Sequence, residues 1–285
     1  MNKKLYFRTL LISTAAMLAV AFAVIVFWAT NFVNIGGGTD IKELDKVQPN
    51  SRQNIVVFGT DKSGLRSDTI MIFSISEKEN NINVVSIPRD LKVKIKGGFQ
   101  KINTAMALGQ ENLAVQTVKE VTGIPIHDYV TVNFDAVEDI IDAVGGVDFY
   151  VPQNMNYEDP YQDLYIHLNK GQQHLNGEKA VQLLRFRSYP MADIERTNVQ
   201  RDFIQAVIDQ KLNVSNVDKI PEIYGAVSKN VKSSMSIAEV VDYATMVLKM
   251  EDMKFNSFQC PYYLSDEYVQ LNYEEAAELF NRNFK

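Results

Sequence analysis

Cysteine is all but absent: the 285-residue chain has one, Cys260, so no disulfide can form within it and no multi-cysteine metal site exists. Histidine is nearly as scarce. The three present, His127, His167 and His174, have no HExxH-type spacing, which argues against a structural zinc site. Basic excess is missing too, since 29 Lys and Arg stand against 35 Asp and Glu, a net charge of -6. A nucleic-acid binder draws most of its affinity from neutralising phosphates, so no nucleic-acid partner is expected. With 14 Gly and 8 Pro the chain is no low-complexity linker. What is there is an ordinary globular balance, 46% hydrophobic and 22% charged, which excludes a disordered chain and a multi-span membrane protein.

The one long hydrophobic run lies at the N-terminus. Lys3, Lys4 and Arg8 precede a stretch without charge that lasts until Asp40. Roughly 20 apolar residues cross a bilayer core, so residues 9–33 are long enough to span one. Basic residues before the run, and Asp40, Glu43 and Asp45 after it, make residues 1–8 a cytoplasmic tail and put the main domain outside the cell. Ala21-Phe22-Ala23 resembles a signal-peptide cleavage site, but the apolar run continues well past it. The expectation is a single-pass signal anchor in the cell membrane. Residues 34–53 read as a polar linker and residues 54–285 as one exported domain.

Within that domain, Asn54–Gly59, Thr69–Ile75 and Ile82–Ile87 are short β-branched apolar runs, the pattern of buried strands. Glu111–Val121 and Asp135–Val144 predict helices, the second stopped by Gly145-Gly146, with Val147–Val151 as a following strand. Asn176–Leu184 predicts a helix with Asn176 as N-cap, and Asp193–Leu212 a longer one. Lys101-Ile102-Asn103 reads as a helix start, and further helices are expected near Ser236–Met250 and Tyr273–Phe280. Strands alternating with helices predict a layered α/β domain.

Asp61 and Asp68 flank a loop between the first two strands, with Lys62, Ser63 and Gly64 between them. Two carboxylates at a strand end suit a hard cation such as Mg2+, but taken alone they more often serve a simple turn. Arginine placement adds information. Arg66 lies in that loop, Arg89 follows the third strand, and Arg185 and Arg187 sit two apart, on one face if extended. Arg196 and Gln200 are four apart on the helix that Asp193 begins. Arginine's planar fork binds phosphate bidentately, so several of them beside a carboxylate pair suggest a pyrophosphate site. Lys101 can reach such a phosphate or remain solvated. Tyr157, Tyr161 and Tyr165 can line a sugar groove or merely pack in a loop.

The ordered motifs Gly59-Thr60-Asp61, Arg66-Ser67-Asp68-Thr69, Ser86-Ile87-Pro88-Arg89-Asp90 and Lys101-Ile102-Asn103 resemble the LytR-CpsA-Psr family. So do Gly145-Gly146-Val147-Asp148, Leu175 to Ala180, Arg185-Phe186-Arg187 and Asp193-x-x-Arg196, over a motif core of residues 54–212. The resemblance implies a central mixed β-sheet flanked by helices, with a lipid tail in a long apolar pocket. It implies phosphotransferase-type transfer of a glycopolymer, wall teichoic acid or capsular polysaccharide, from a polyprenyl-pyrophosphate carrier to a muramic-acid hydroxyl of peptidoglycan. By motif, Asp61 and Asp68 correspond to the Mg2+ carboxylates, and Arg66, Arg89, Arg185, Arg187, Arg196 and Gln200, with Lys101, to the pyrophosphate site. Two positions depart from the pattern: Ala192 where glycine usually precedes the aspartate, and Val199 where arginine usually precedes the glutamine.

The mechanism expected from these residues has Mg2+ and the arginine clamp stabilise the charge that grows on the pyrophosphate as the sugar C1–O bond breaks. Asp68, Arg89 and Asp193 are the expected catalytic residues, with Asp193, free of metal, favoured as the base for the acceptor hydroxyl. Two alternatives remain open at this level: a non-catalytic polyprenyl-pyrophosphate-binding regulator, to which the missing arginine at Val199 points, and a hydrolase with water as acceptor.

Overall fold

A computed structural model describes residues 41, 44–47, 51–60, 64–162, 164–189, 193–211, 230–265 and 267–285. The expected cytoplasmic tail and membrane anchor lie outside the described residues, as does Asp61. Among the described residues no helix is long and apolar enough to cross a membrane.

The domain is built on a six-stranded mixed sheet. Strand β1 (Gln53–Thr60) pairs antiparallel with β2 (Ser67–Ser76), and β2 antiparallel with β3 (Asn81–Ile87). On the other side of β1 lies β6 (Asp128–Asn133), parallel to it, and then β11 (Val231–Ser233), antiparallel to β6. Beyond β3 the sheet ends with β12 (Lys254–Gln259), parallel to β3. The region beyond residue 212, where only helices were expected, thus supplies two strands of the central sheet.

The apolar runs of β1 to β3 are near-continuous because both faces of the sheet are covered. Val56, Phe58, Ile70, Ile72, Val85 and Ile87 pack on one face against α1 (Thr104–Thr122) and α6 (Tyr273–Asn283), through Val115, Val118 and Phe280. Ile55, Met71, Ile75, Ile82 and Val84 point the other way. They meet α4 (Asp193–Lys211) and α5 (Ile237–Leu248) through Ile204 and Val247. The period-two alternation within each strand is what divides these sets.

A second apolar cluster builds a subsidiary lobe. It is formed by α2 (Phe134–Ala143), the strand pair β7 (Val147–Val151) and β10 (Gly171–Leu175), the hairpin β8 (Met155–Asp159) and β9 (Leu164–Leu168), and α3 (Gly177–Arg185). Asn176 caps α3 as the sequence predicts, its side chain accepting from Lys179 N at 3.1 Å. Asn133 caps α2 in the same way, from Ala136 N at 2.8 Å. Gly145 and Gly146 take φ of 75° and 73°, the left-handed region that turns the chain out of α2 into β7.

Two local expectations are corrected. Lys101 does not start a helix: it ends β5 (Gly98–Lys101), which pairs with β4 (Lys92–Ile95), and the helix begins at Thr104. Lys101 sits opposite Lys92 in that ladder, so backbone pairing overrides local propensity. The described residues of the Tyr157–Tyr165 segment form the β8–β9 hairpin, with a 3-10 turn (Pro160–Gln162) at its tip, where a loop was expected.

Candidate functional site

The site starts at an irregularity in the β1–β2 ladder. Gly59 pairs with Thr69 and Thr60 with Ser67, so Asp68 is an extra residue on β2 with no partner opposite. Such a bulge bends the strand and re-aims a side chain. Gly59 gives the bulge room: a Cβ there would stand 3.0 Å from the Thr69 Cβ and press on it.

Three arginines from distant segments close on Asp68. Pro88 holds the turn after β3, where Leu91 N donates to Pro88 O at 3.1 Å, and from that turn Arg89 Nη1 donates to Asp68 Oδ1 at 2.6 Å. Arg187 Nη2 donates to Asp68 Oδ2 at 2.9 Å. Arg196, 4% exposed on α4, aims Nη2 at the Asp68 carbonyl oxygen at 3.5 Å. Burial works against the Asp68 carboxylate and is the largest single influence on it. The hydrogen bond from Arg89 and the charges of Arg187, Arg89 and Arg196 together outweigh it, so the carboxyl titrates below its ordinary range.

These residues open into a cavity of about 800 Å³ lined by six cationic side chains, Arg66, Arg89, Lys101, Arg185, Arg187 and Arg196, against two carboxylates, Asp68 and Asp90. A net-negative protein thus concentrates positive charge in one concavity, which attracts and orients polyanions. Asp90 holds Lys101 at 2.8 Å and so fixes one cation at the rim. Gln200 accepts from the Thr69 hydroxyl at 3.4 Å and donates to Leu184 O at 3.3 Å, tying α4 to β2 and α3.

Arg185 and Arg187 both line the cavity, though not on one extended segment. Arg185 is the last helical residue of α3, with its guanidinium 5.2 Å above the Phe134 ring. Phe186 then turns extended (φ −63°, ψ 132°) and lets Arg187 reach Asp68. Asp193 begins α4; its side chain, like Asp61, lies outside what is described.

Val199 is 8% exposed and packs in the subsidiary apolar cluster with Leu183, Phe186 and Phe203. Position 199 therefore faces a core and is not among the residues that line the cavity. Arg201, on a third face of α4, donates to Phe258 O of β12 at 2.7 Å, away from Asp68.

Residues not singled out from the sequence also line the cavity: Thr69, Asp90, Asn103, Phe134 and Leu184. Asp90 and Asn103 lay within the quoted motifs, but only their junction at the β3–β4 turn, where Asn103 N donates to Arg89 O at 3.2 Å, gives them a place.

Comparison with known proteins gives concordant findings. The sequence profile of the LytR_cpsA_psr family matches residues 31–284. A relative from Bacillus mycoides (strain KBAB4), named polyisoprenyl-teichoic acid–peptidoglycan teichoic acid transferase TagU, is 34% identical over 211 residues, 72% of this chain and 66% of the relative. The crystal structure of B. subtilis TagV matches with a TM-score of 0.70 and 28% identity, over 83% of this chain and 98% of that one. TagT bound to LIIa-WTA matches with a TM-score of 0.68 and 26% identity, over 87% of this chain and 97% of that one. This chain spans 65–66% of the length of the Bacillus TagU relatives.

Proposed function

The chain belongs to the LytR-CpsA-Psr family, and from that premise we propose that it transfers a glycopolymer from a polyprenyl-pyrophosphate carrier to a hydroxyl of peptidoglycan. The observation that carries this reading is the cavity's six cations gathered around the clamped Asp68 carboxylate. The relatives' printed names, and a TagT structure with a bound LIIa-WTA, make wall teichoic acid the favoured cargo over capsular polysaccharide.

In the chemistry proposed, the acceptor hydroxyl oxygen attacks the sugar-bearing phosphorus. The P–O bond of the pyrophosphate bridge breaks, polyprenyl phosphate leaves, and the hydroxyl proton passes to a carboxylate, for which Asp193 is the candidate. Arg89, Arg187 and Arg196 hold the diphosphate and meet, with donors already in place, the charge that develops on the departing phosphate. Gln200 and Thr69 orient the side of the cavity next to Asp68. Cleavage at the sugar C1–O bond instead would leave no phosphorus in the product linkage.

Asp68 also suits Mg2+. Its carboxylate offers four lone-pair sites, two of them used by Arg89 and Arg187, and Mg2+ is commonly bound by one or two carboxylates together with substrate phosphates. Asp68 and Asp61 would hold the ion. When bound, it supplies charge neutralisation of the diphosphate. The apolar run at residues 9–33, with Lys3, Lys4 and Arg8 before it, supports a single membrane anchor with the domain outside the cell, where both lipid carrier and peptidoglycan are found.

The test is reconstitution of the full chain in detergent with a synthetic lipid-pyrophosphate-linked saccharide and a peptidoglycan oligosaccharide, with and without Mg2+. A covalent product containing phosphodiester phosphorus is expected. Free saccharide phosphate formed equally with and without acceptor would mean hydrolysis and would overturn the transferase reading.

A further inference from the structure

The hairpin β8–β9 forms one wall of the cationic cavity through Tyr157 and Leu164, yet carries none of the cations. From residue 152 to 169 the chain has no Lys or Arg, and it has Glu158, Asp159 and Asp163. Tyr157 pairs with Ile166 across the hairpin, so both belong to its inner face. Ile166 is fully buried there, while Tyr157 keeps 40% of its surface open at the cavity. At the tip, Tyr161 is 102% exposed, and nothing in the core accounts for it.

The hairpin is anchored to the subsidiary lobe. Leu164, Ile166 and Leu168 are buried in the subsidiary lobe, Tyr161 N donates to Asp159 Oδ1 at 3.0 Å, and His167 N donates to Gln182 Oε1 at 2.9 Å. Tyr157 is therefore presented on an anchored support in the cavity wall and Tyr161 at the tip of the same hairpin, which lowers the ordering cost of any ligand that stacks on them. The opposite face of the hairpin differs: there Tyr165 lies across from Glu158, and Glu158 pairs with His167 at 3.1 Å.

We propose that Tyr157, in the cavity wall, and Tyr161, at the tip of the same hairpin, form a stacking platform for sugar rings of the acceptor glycan strand. This rests on the transferase reading above. Charge selects the occupant. A polyanionic donor polymer is drawn to the arginines and repelled by Asp159, which shares the Tyr157 face of the hairpin, whereas the uncharged pyranose faces of a β-1,4-linked glycan backbone stack on exposed tyrosines without electrostatic cost. The platform thus sorts the two substrates, cations to the donor and aromatics to the acceptor, and brings the acceptor hydroxyl to the edge of the Asp68 clamp.

The test titrates the N-acetylglucosamine tetramer, a neutral probe of the same backbone, into the full chain in detergent by calorimetry. Tyr161→Ala, at a fully exposed position, is expected to weaken binding roughly three- to ten-fold, with Tyr161→Phe restoring it and Tyr165→Ala without effect. In the transfer assay the same Tyr161→Ala raises the acceptor KM by a similar factor and leaves the donor KM unchanged. Equal binding by wild type and Tyr161→Ala, an equal loss in Tyr165→Ala, or a rise in donor KM would each overturn the platform. Tetramer binding that depends on Tyr161, in a chain that makes no transfer product with any donor, would remove the transferase reading and leave the platform standing as a glycan site.

Discussion

Asp68 Oδ1 accepts a 2.6 Å hydrogen bond from Arg89 Nη1, a residue 21 positions away in the chain. The bulge in β2 aims the carboxylate and the Pro88 turn aims the guanidinium, so the contact joins two neighbouring strand ends of one sheet. Arg187 takes the other oxygen, and the three groups together keep a net positive charge facing the cavity. This is the arrangement a diphosphate would enter.

Replacing Arg89 by Ala should lower the transfer rate by about 10²–10³-fold, the usual cost of losing one preorganised donor at developing charge. Arg89→Lys should recover little, because an ammonium cannot reproduce the fork. The Asp68 carboxyl should titrate higher in Arg89→Ala, which carbon-detected NMR of labelled aspartate would read. An unchanged Asp68 titration would show that the hydrogen bond does not set its ionisation.

Val199→Arg should destabilise the chain and bring no gain in transfer. The substitution drives a charge into the cluster of Leu183, Phe186 and Phe203, at a position 8% exposed, with an overpacking cost of about 1–3 kcal/mol before desolvation. Thermal unfolding and the transfer assay measure the two halves. A faster enzyme of equal stability would place position 199 at the cavity instead.

Gly59→Ala should shift Thr69, whose Cβ would lie 3.0 Å from the new methyl, and with it the neighbouring Asp68 bulge. The expected signature is a loss of about 1–3 kcal/mol in stability together with a raised donor KM. An alanine variant with unchanged melting temperature and KM would mean that the bulge absorbs the methyl freely.

His127 gives a pH dependence of stability. Burial holds its imidazole below the ordinary value of 6.5, and Nδ1 accepts from Asn54 N at 2.9 Å, a bond that protonation destroys. Because the folded value is depressed, this contribution is complete above 6.5 and is lost as pH falls through the lowered folded value. Denaturation midpoints between pH 7 and 5 should fall more steeply for wild type than for His127→Gln. Parallel curves would exclude His127 as a source.

Local chemistry made much of this protein legible in one dimension. The runs in β1 to β3 read as strands because burial on both faces demands uninterrupted apolar residues. Asn176 and Gly145-Gly146 mark helix ends because capping and positive φ are properties of single residues. The cationic set Arg66, Arg89, Arg185, Arg187 and Arg196 was visible as residue types, and all five line one cavity. Which of them touches Asp68 was not visible. That depends on a one-residue slip between Gly59 and Thr60, and pattern alone does not disclose a slip. Strands β11 and β12, three and six residues long, escaped detection because their partners Val130–Val132 and Asn81–Ser86, remote in sequence, make them strands. Lys101 became extended for the same reason, paired with Lys92. The fate of Val199 was decided by helix phase: about 100° around α4 from its neighbour Gln200, it turns toward the apolar lobe while Arg196 and Gln200, four apart, stay with the cavity. Composition and motif therefore determined the class of site and the charge it carries. Long-range pairing and helix packing decided which side chains meet, because a contact between distant residues is a property of the folded chain and of no segment by itself.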